Sequence, residues 1–221
     1  MRPIRVVLAD DHPAIRAGIR GALAHASDIE VVAEADNGRE ALHLIEETQP
    51  DVVLLDCRLP GELDGPAVAA RIQLSDWSVC IVALSAFDDA ALINEMLQAG
   101  AMGYLLKQDA LEHVVEAVQA VVRGEQLWTT DQLQRSQVWW TSVGSKLETL
   151  TRREQDVLAL MAEALSNQQI ADRLELSENT VETHVRNVLS KLQVNNRQEA
   201  IVFVLKHELP HKFRGKIDTV A

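Results

Sequence analysis

The chain has 221 residues, a formal net charge of −12, and 47% hydrophobic and 24% charged residues. That balance is globular and excludes bulk disorder and fibrous repeats. No apolar run approaches the ~18–20 residues that a membrane-spanning helix needs. With only Cys57 and Cys80 there is no disulfide framework, and the N-terminus has no leader-like pattern. The expectation is a soluble, cytoplasmic protein without a membrane partner.

Charge divides the chain. Residues 1–125 hold 9 Lys and Arg against 21 Asp and Glu, while residues 126–221 hold 12 of each. Two regions so different are expected to meet different partners.

In the first region, apolar runs at Ile4 to Ala9, Val31 to Ala35, Val52 to Leu55, Val79 to Leu84 and Gly103 to Leu106 read as strands covered on both faces. Ile15, Ile19 and Leu23 mark a helix after the first. Asn37 and Asp109, each with a Glu three residues on, read as helix caps. Leu111, Val114, Val115, Val118 and Val122 form the stripe of the last helix. Alternation of strand and helix predicts an α/β doubly wound, five-stranded parallel sheet. Such folds carry their sites at the carboxyl ends of the strands. That rule selects Asp10 and Asp11, Asp56, Ser85 and Lys107. Three converging carboxylates need a cation, and magnesium suits oxygen ligands. With an ammonium and a hydroxyl added, the set can receive a phosphoryl group.

Asp10-Asp11, Asp56 followed by Pro60, then Ser85, and Tyr104 three before Lys107, resemble the receiver domain of two-component response regulators, a flavodoxin-like fold, over residues 1–123. The resemblance implies that Asp56 accepts phosphate from a sensor histidine kinase. It implies that Asp10, Asp11, Asp56 and the Arg58 backbone carbonyl hold magnesium, that Lys107 pairs with the phosphate, and that Ser85 and Tyr104 respond to it. Two positions depart from the usual pattern. Three residues separate Pro60 from Asp64, one more than usual, and Gln108 follows Lys107 where proline is common.

Residues 124–147 read as an interdomain linker, yet hold Trp128, Trp139 and Trp140. A structureless stretch of that length is uncommon. Asp131 to Trp140 is expected to form a docked helix, leaving Val143-Gly144-Ser145 as the flexible piece.

Residues 148–209 read as four helices. Thr151 and Ser166 open capping boxes, Glu175-Leu176 makes a turn, and Ser177 caps a third helix with Val181, Val185, Val188, Leu189 and Leu192 inward. A fourth helix, about Arg197 to His207, is expected to bury Ala200, Ile201, Val204 and Leu205. Short helix, turn and longer helix make a helix-turn-helix. The outer face of the third helix is rich in groups that meet phosphates and base edges. The segment Leu150 to Leu209 resembles the LuxR-type DNA-binding domain of NarL/FixJ-type regulators. The matching residues are Leu150-Thr151-x-Arg153-Glu154, Ser166-Asn167-x-x-Ile170-Ala171, Leu176-Ser177-x-x-Thr180-Val181-x-x-His184, Lys191-Leu192 and Arg197-x-x-Ala200. It implies that Ser166, Asn167, Asn179, Thr180, Thr183, His184, Arg186, Asn187 and Lys191 lie at double-stranded DNA. Glu182 stands where many relatives carry lysine. A neutral domain binds one half-site modestly, so a homodimer is expected. The tail, 210–221, is basic and expected to be mobile.

Together these features predict a transcription regulator switched by aspartate phosphorylation, not an enzyme. One rival is an orphan DNA-binding regulator that works without phosphorylation. The other is a magnesium-dependent phosphohydrolase using Asp56, which would need a general acid where Arg58 stands.

Overall fold

The computed structural model describes residues 2–207, so the expected basic tail and the last two residues of the expected 148–209 domain lie outside the described residues. The chain separates into two units, the first ending at Gln137 and the second beginning at Val138.

In the first unit, β1 (Ile4–Ala9), β2 (Ile29–Ala35), β3 (Val52–Asp56), β4 (Cys80–Ser85) and β5 (Gly103–Leu106) form one parallel sheet in the order β2-β1-β3-β4-β5. Alternate residues of each strand face opposite sides. Val7, Ala9, Val53, Leu55, Ile81 and Ala83 meet α2 (Gly38–Thr48), α3 (Gly65–Gln73) and α4 (Ala90–Gln98) through Ala41, Ile45, Val68, Ile72, Ile93 and Met96. Val6, Leu8, Val52, Leu54, Val82 and Leu84 meet α1 (Pro13–Leu23) and α5 (Lys107–Val122) through Ile19, Leu23, Ala110, Val114, Val118 and Val121. Burying each large aliphatic side chain contributes about 1.5–3 kcal/mol, which explains why continuous apolar runs specify these central strands.

Two local expectations need correction. Asp109 is not the cap of α5: the N-cap is Leu106, three residues earlier, and Asp109 lies in the first turn. The inward face of α5 is Ala110, Val114, Ala117, Val118 and Val121, whereas Leu111 and Val122 of the expected stripe are exposed. Asn37 does cap α2, accepting from Glu40 N at 2.9 Å.

Past α5, α6 (Thr130–Trp139) is helical as expected and contains the division between the units. The flexible break expected at Val143-Gly144-Ser145 is absent. Trp140–Gly144 is a π-helical turn that runs straight into α7 (Ser145–Glu148), with Val143 and Gly144 buried. Gly144 is there for closeness: a Cβ at this position would stand 2.5 Å from the Trp140 ring and 2.7 Å from the Trp139 ring.

The second unit continues with α8 (Arg152–Ala162), α9 (Asn167–Leu174), α10 (Glu178–Leu192) and α11 (Arg197–Lys206). Both capping boxes are formed, Thr151 with Glu154 and Ser166 with Gln169, and Ser177 caps α10. Leu158, Leu160, Met161, Ile170, Val181, Val188, Leu192, Ala200 and Val204 build the core. Leu205, expected inside, is exposed, because the inward stripe of α11 passes through Ala200 and Val204 instead.

Candidate functional site

Asp10 follows β1 and Asp56 ends β3. These strands are neighbours at the point where the strand order reverses, so a crevice forms outside their carboxyl ends. Both side chains are buried. Lys107 enters from the end of β5, its Nζ 2.7 Å from Asp56 Oδ2 and 2.8 Å from Asp10 Oδ2. Arg58 N donates to Asp56 Oδ1 at 3.0 Å.

Burial pushes the Asp56 carboxyl above its usual value of 3.8, against the opposing pull of Lys107 and the Arg58 amide. Burial alone would lower the Lys107 ammonium, but its bonds to Asp10 and Asp56 prevail and raise it. The ammonium therefore stays charged and neutralises only part of the acidic cluster. Cys57, fully buried beside it, has its thiol pushed well above 9.0 by burial and by Asp56.

The rest of the cluster fits a hard cation. Ligand atoms of Asp10, Asp11, His12 and Asp56 all lie within 4.8 Å of one another. Asp10 Oδ2 and Asp11 Oδ1 are both buried, the first held by Lys107 and the second by His12 alone. His12 was not singled out by the sequence, yet its Nδ1 pairs with Asp11 and lies 3.5 Å from Asp10 Oδ1. Neither Asp10 nor Asp11 caps α1: the N-cap is His12, whose own amide donates to Asp10 Oδ1 at 2.8 Å. Oxygen-rich, acidic and incompletely satisfied, this is a donor set of the kind magnesium takes.

Ser85 and Tyr104 are both buried beside the cluster and linked through one loop residue: Phe87 N donates to Ser85 Oγ at 3.1 Å, and the Tyr104 hydroxyl donates to Phe87 O at 2.6 Å. The Arg58 guanidinium lies over the Phe87 ring, 4.7 Å from its centre, a pairing that no spacing in the sequence signals. The loop that holds the extra residue after Pro60 leads directly into α3. Gly61 takes a positive φ of 92°, Leu63 packs at Gly38, and Asp64 caps α3 by accepting from Ala67 N at 3.0 Å. Gly65 sits so close to β3 that a Cβ would stand 2.2 Å from Asp56 O.

The second candidate surface is the helix-turn-helix. On α10, Asn179, Thr183, Arg186 and Asn187 are exposed on one side, and Glu182 shares that side. Of the other expected DNA contacts, Ser166, Asn167, Thr180 and Lys191 have structural partners. Ser166 caps α9, Asn167 Oδ1 accepts from Arg197 at 3.0 Å, and the Thr180 and Ser177 hydroxyls are 2.7 Å apart. Lys191 Nζ is 2.6 Å from Glu154 Oε2. His184 is partly buried, and its Nδ1 has no hydrogen-bond partner.

Residues 6–119 match the family model described as the response regulator receiver domain, just over half of the chain. VraR of Staphylococcus aureus, a response regulator protein, is 34% identical over 206 residues, covering 93% of this chain and 98% of that one. The chain is a response regulator. Residues 148–204 of the regulator match the model for bacterial regulatory proteins of the luxR family. Among solved structures, the signal receiver domain of NarL from Mycobacterium tuberculosis is 41% identical, covers 57% of the regulator and 100% of its own chain, and has a TM-score of 0.55. ChrA, a response regulator of a heme-sensing two-component system, is 35% identical with a TM-score of 0.54, covering 95% of the regulator and all of its own chain. The regulator is thus a DNA-binding transcription regulator of the LuxR/NarL type rather than an enzyme. No helix among its described residues is long and apolar enough to cross a membrane.

Proposed function

We propose that this regulator is a cytoplasmic transcription factor switched by phosphorylation of Asp56, the phosphoryl group coming from a sensor histidine kinase. The reading is carried by one observation: the buried Asp56 carboxylate is held by Lys107 within a cluster that still carries excess negative charge. An Asp56 oxygen attacks the phosphorus of the phosphohistidine, an acyl phosphate forms, and the P–N bond breaks with its electrons leaving on the imidazole. Lys107 Nζ already stands where a phosphoryl oxygen would need a counter-charge. Asp10, Asp11 and Asp56, with the Arg58 carbonyl, would hold magnesium, which supplies charge neutralisation to the added anion. The Ser85 hydroxyl lies beside the cleft and can donate to that anion in place of accepting from Phe87 N. Adding roughly −1.5 to −2 charge biases a two-state equilibrium through Ser85 and Tyr104.

On the DNA side, Asn179, Thr183, Arg186 and Asn187 face the major groove of double-stranded DNA, and two copies on paired half-sites supply the affinity that one near-neutral unit lacks. The test is incubation with a small-molecule phosphodonor and magnesium, followed by intact mass and DNA-binding titration of wild type and Asp56→Asn. The expected result is a phosphoryl adduct and tighter binding for wild type alone. Equal mass and equal affinity would leave an unswitched DNA-binding regulator.

A further inference from the structure

His12 sets a nitrogen donor into an otherwise oxygen-lined cleft. Its Nδ1 pairs with Asp11 Oδ1, a buried oxygen with no other partner, and lies 3.5 Å from Asp10 Oδ1. With Asp10, Asp11 and Asp56 it completes a set of four residues whose donor atoms all lie within 4.8 Å of one another. Lys107 draws on Oδ2 of Asp10 and Oδ2 of Asp56. The ammonium and the imidazole therefore meet different carboxylate oxygens.

The backbone fixes the imidazole at this place. Pro13 opens α1, and a proline disfavours helical backbone at the residue before it. His12 is accordingly extended, with φ −92° and ψ 108°. Its amide donates to Asp10 Oδ1 at 2.8 Å, and its carbonyl accepts from Arg16 N at 3.1 Å, closing the first turn of α1. The ring itself makes no cap bond and is 66% exposed, so the start of the helix does not depend on it.

Donor chemistry then narrows the ion. Carboxylate, carbonyl and water oxygens suit magnesium and manganese, whereas imidazole suits transition metals and adds nothing that magnesium seeks. We propose that the cleft takes a divalent transition-metal ion in preference to magnesium, with His12 Nδ1 as a ligand beside the aspartate carboxylates. The proposal rests on the cation reading of the acidic cleft given above and names the class of ion. As the partner of Asp11, Nδ1 carries the ring hydrogen. As a ligand it presents its lone pair, with that hydrogen on Nε2. Asp11 Oδ1, released by the ring, becomes available to the same ion.

Full-length wild type and His12→Ala, titrated separately with magnesium and with manganese(II) by calorimetry, test this. Pulsed electron paramagnetic resonance of the manganese complexes reads coupling to a nitrogen nucleus directly. Wild type is expected to bind manganese(II) more tightly than magnesium and to show that coupling. His12→Ala is expected to lose the coupling and to weaken manganese(II) by roughly tenfold or more, the usual loss when even a residue that only orients a metal ligand is removed. Its affinity for magnesium is expected to stay unchanged. The loss on removing His12 decides, rather than the wild-type ratio, because carboxylates alone accept either ion. Equal losses for both ions would make His12 a support for the carboxylates and overturn the proposal. Coupling that persists in His12→Ala, or is missing from wild type, would overturn it too. Failure of wild type to bind either ion would overturn the cation reading itself, and the proposal with it.

Discussion

Lys191 Nζ lies 2.6 Å from Glu154 Oε2, an oxygen that also accepts from Thr151 N at 2.8 Å. One buried carboxylate therefore closes the capping box of α8 and clamps α10 to it. The lysine expected from the sequence to contact DNA is the brace that holds α10 in place.

This geometry sets an acid limit on the DNA-binding unit. Burial alone would raise the Glu154 carboxyl, but Lys191 and Thr151 outweigh it and hold it below the usual 4.5. A carboxylate whose folded value is depressed contributes stability at pH above its unfolded value, and that contribution disappears as pH falls through the folded value. Glu154→Gln is expected to cost about 1–3 kcal/mol at neutral pH, since a cap weakens and Lys191 loses its counter-charge. Its stability should then fall less than that of wild type on acidification from about pH 5 downward. Chemical denaturation across that range checks both, and parallel curves for the two proteins would remove Glu154 as the cause.

The acidic cleft predicts the opposite sign. Burial, reinforced by Asp10, holds Asp56 above 3.8 despite Lys107, so its ionised form is penalised in the folded chain above that folded value and relieved below it. Asp56→Asn is expected to gain about 0.5–2 kcal/mol at neutral pH without divalent cation, the usual gain when a strained functional group is neutralised. Magnesium should shrink or reverse that difference, because a ligand stabilises only the protein that binds it. Denaturant midpoints with and without magnesium decide this: an Asp56→Asn protein that is less stable in chelator would mean that the carboxylate serves packing.

How much of this was legible in the sequence follows from range. Asp10, Asp56, Ser85 and Lys107 could be found because parallel strands are buried on both faces and read as continuous apolar runs, so the polar residue ending each run is conspicuous. The caps at Asn37, Thr151, Ser166 and Ser177 were legible because capping is settled within four residues. Contacts across long separations left no such mark. His12 against Asp11, Arg58 over Phe87, and Ser136 against Asn94 each depend on where distant segments lie after folding. The misread of Val143-Gly144-Ser145 has the same origin: a glycine alone looks like a breaker, and only the two tryptophan rings against it show that it is there for close packing.

Glu182 shares the exposed side of α10 with Arg186 one turn on, their side chains 62% and 73% exposed and 3.7 Å apart. A carboxylate near DNA phosphates is repelled, so on a recognition helix it is tolerated best at the floor of the major groove. There it can accept from the exocyclic amine of cytosine, while Arg186 pairs with a neighbouring guanine. Glu182→Gln is expected to relax preference at one base position by about 1–3 kcal/mol and leave other positions unchanged. Glu182→Lys should instead tighten binding to all sequences and steepen the salt dependence by about one phosphate contact, besides losing that preference. Selection from a randomised duplex pool, with salt titrations on the selected site, separates the two effects. If Glu182→Lys tightens binding while the selected sequence stays the same, Glu182 faces the phosphate backbone and the cytosine assignment fails.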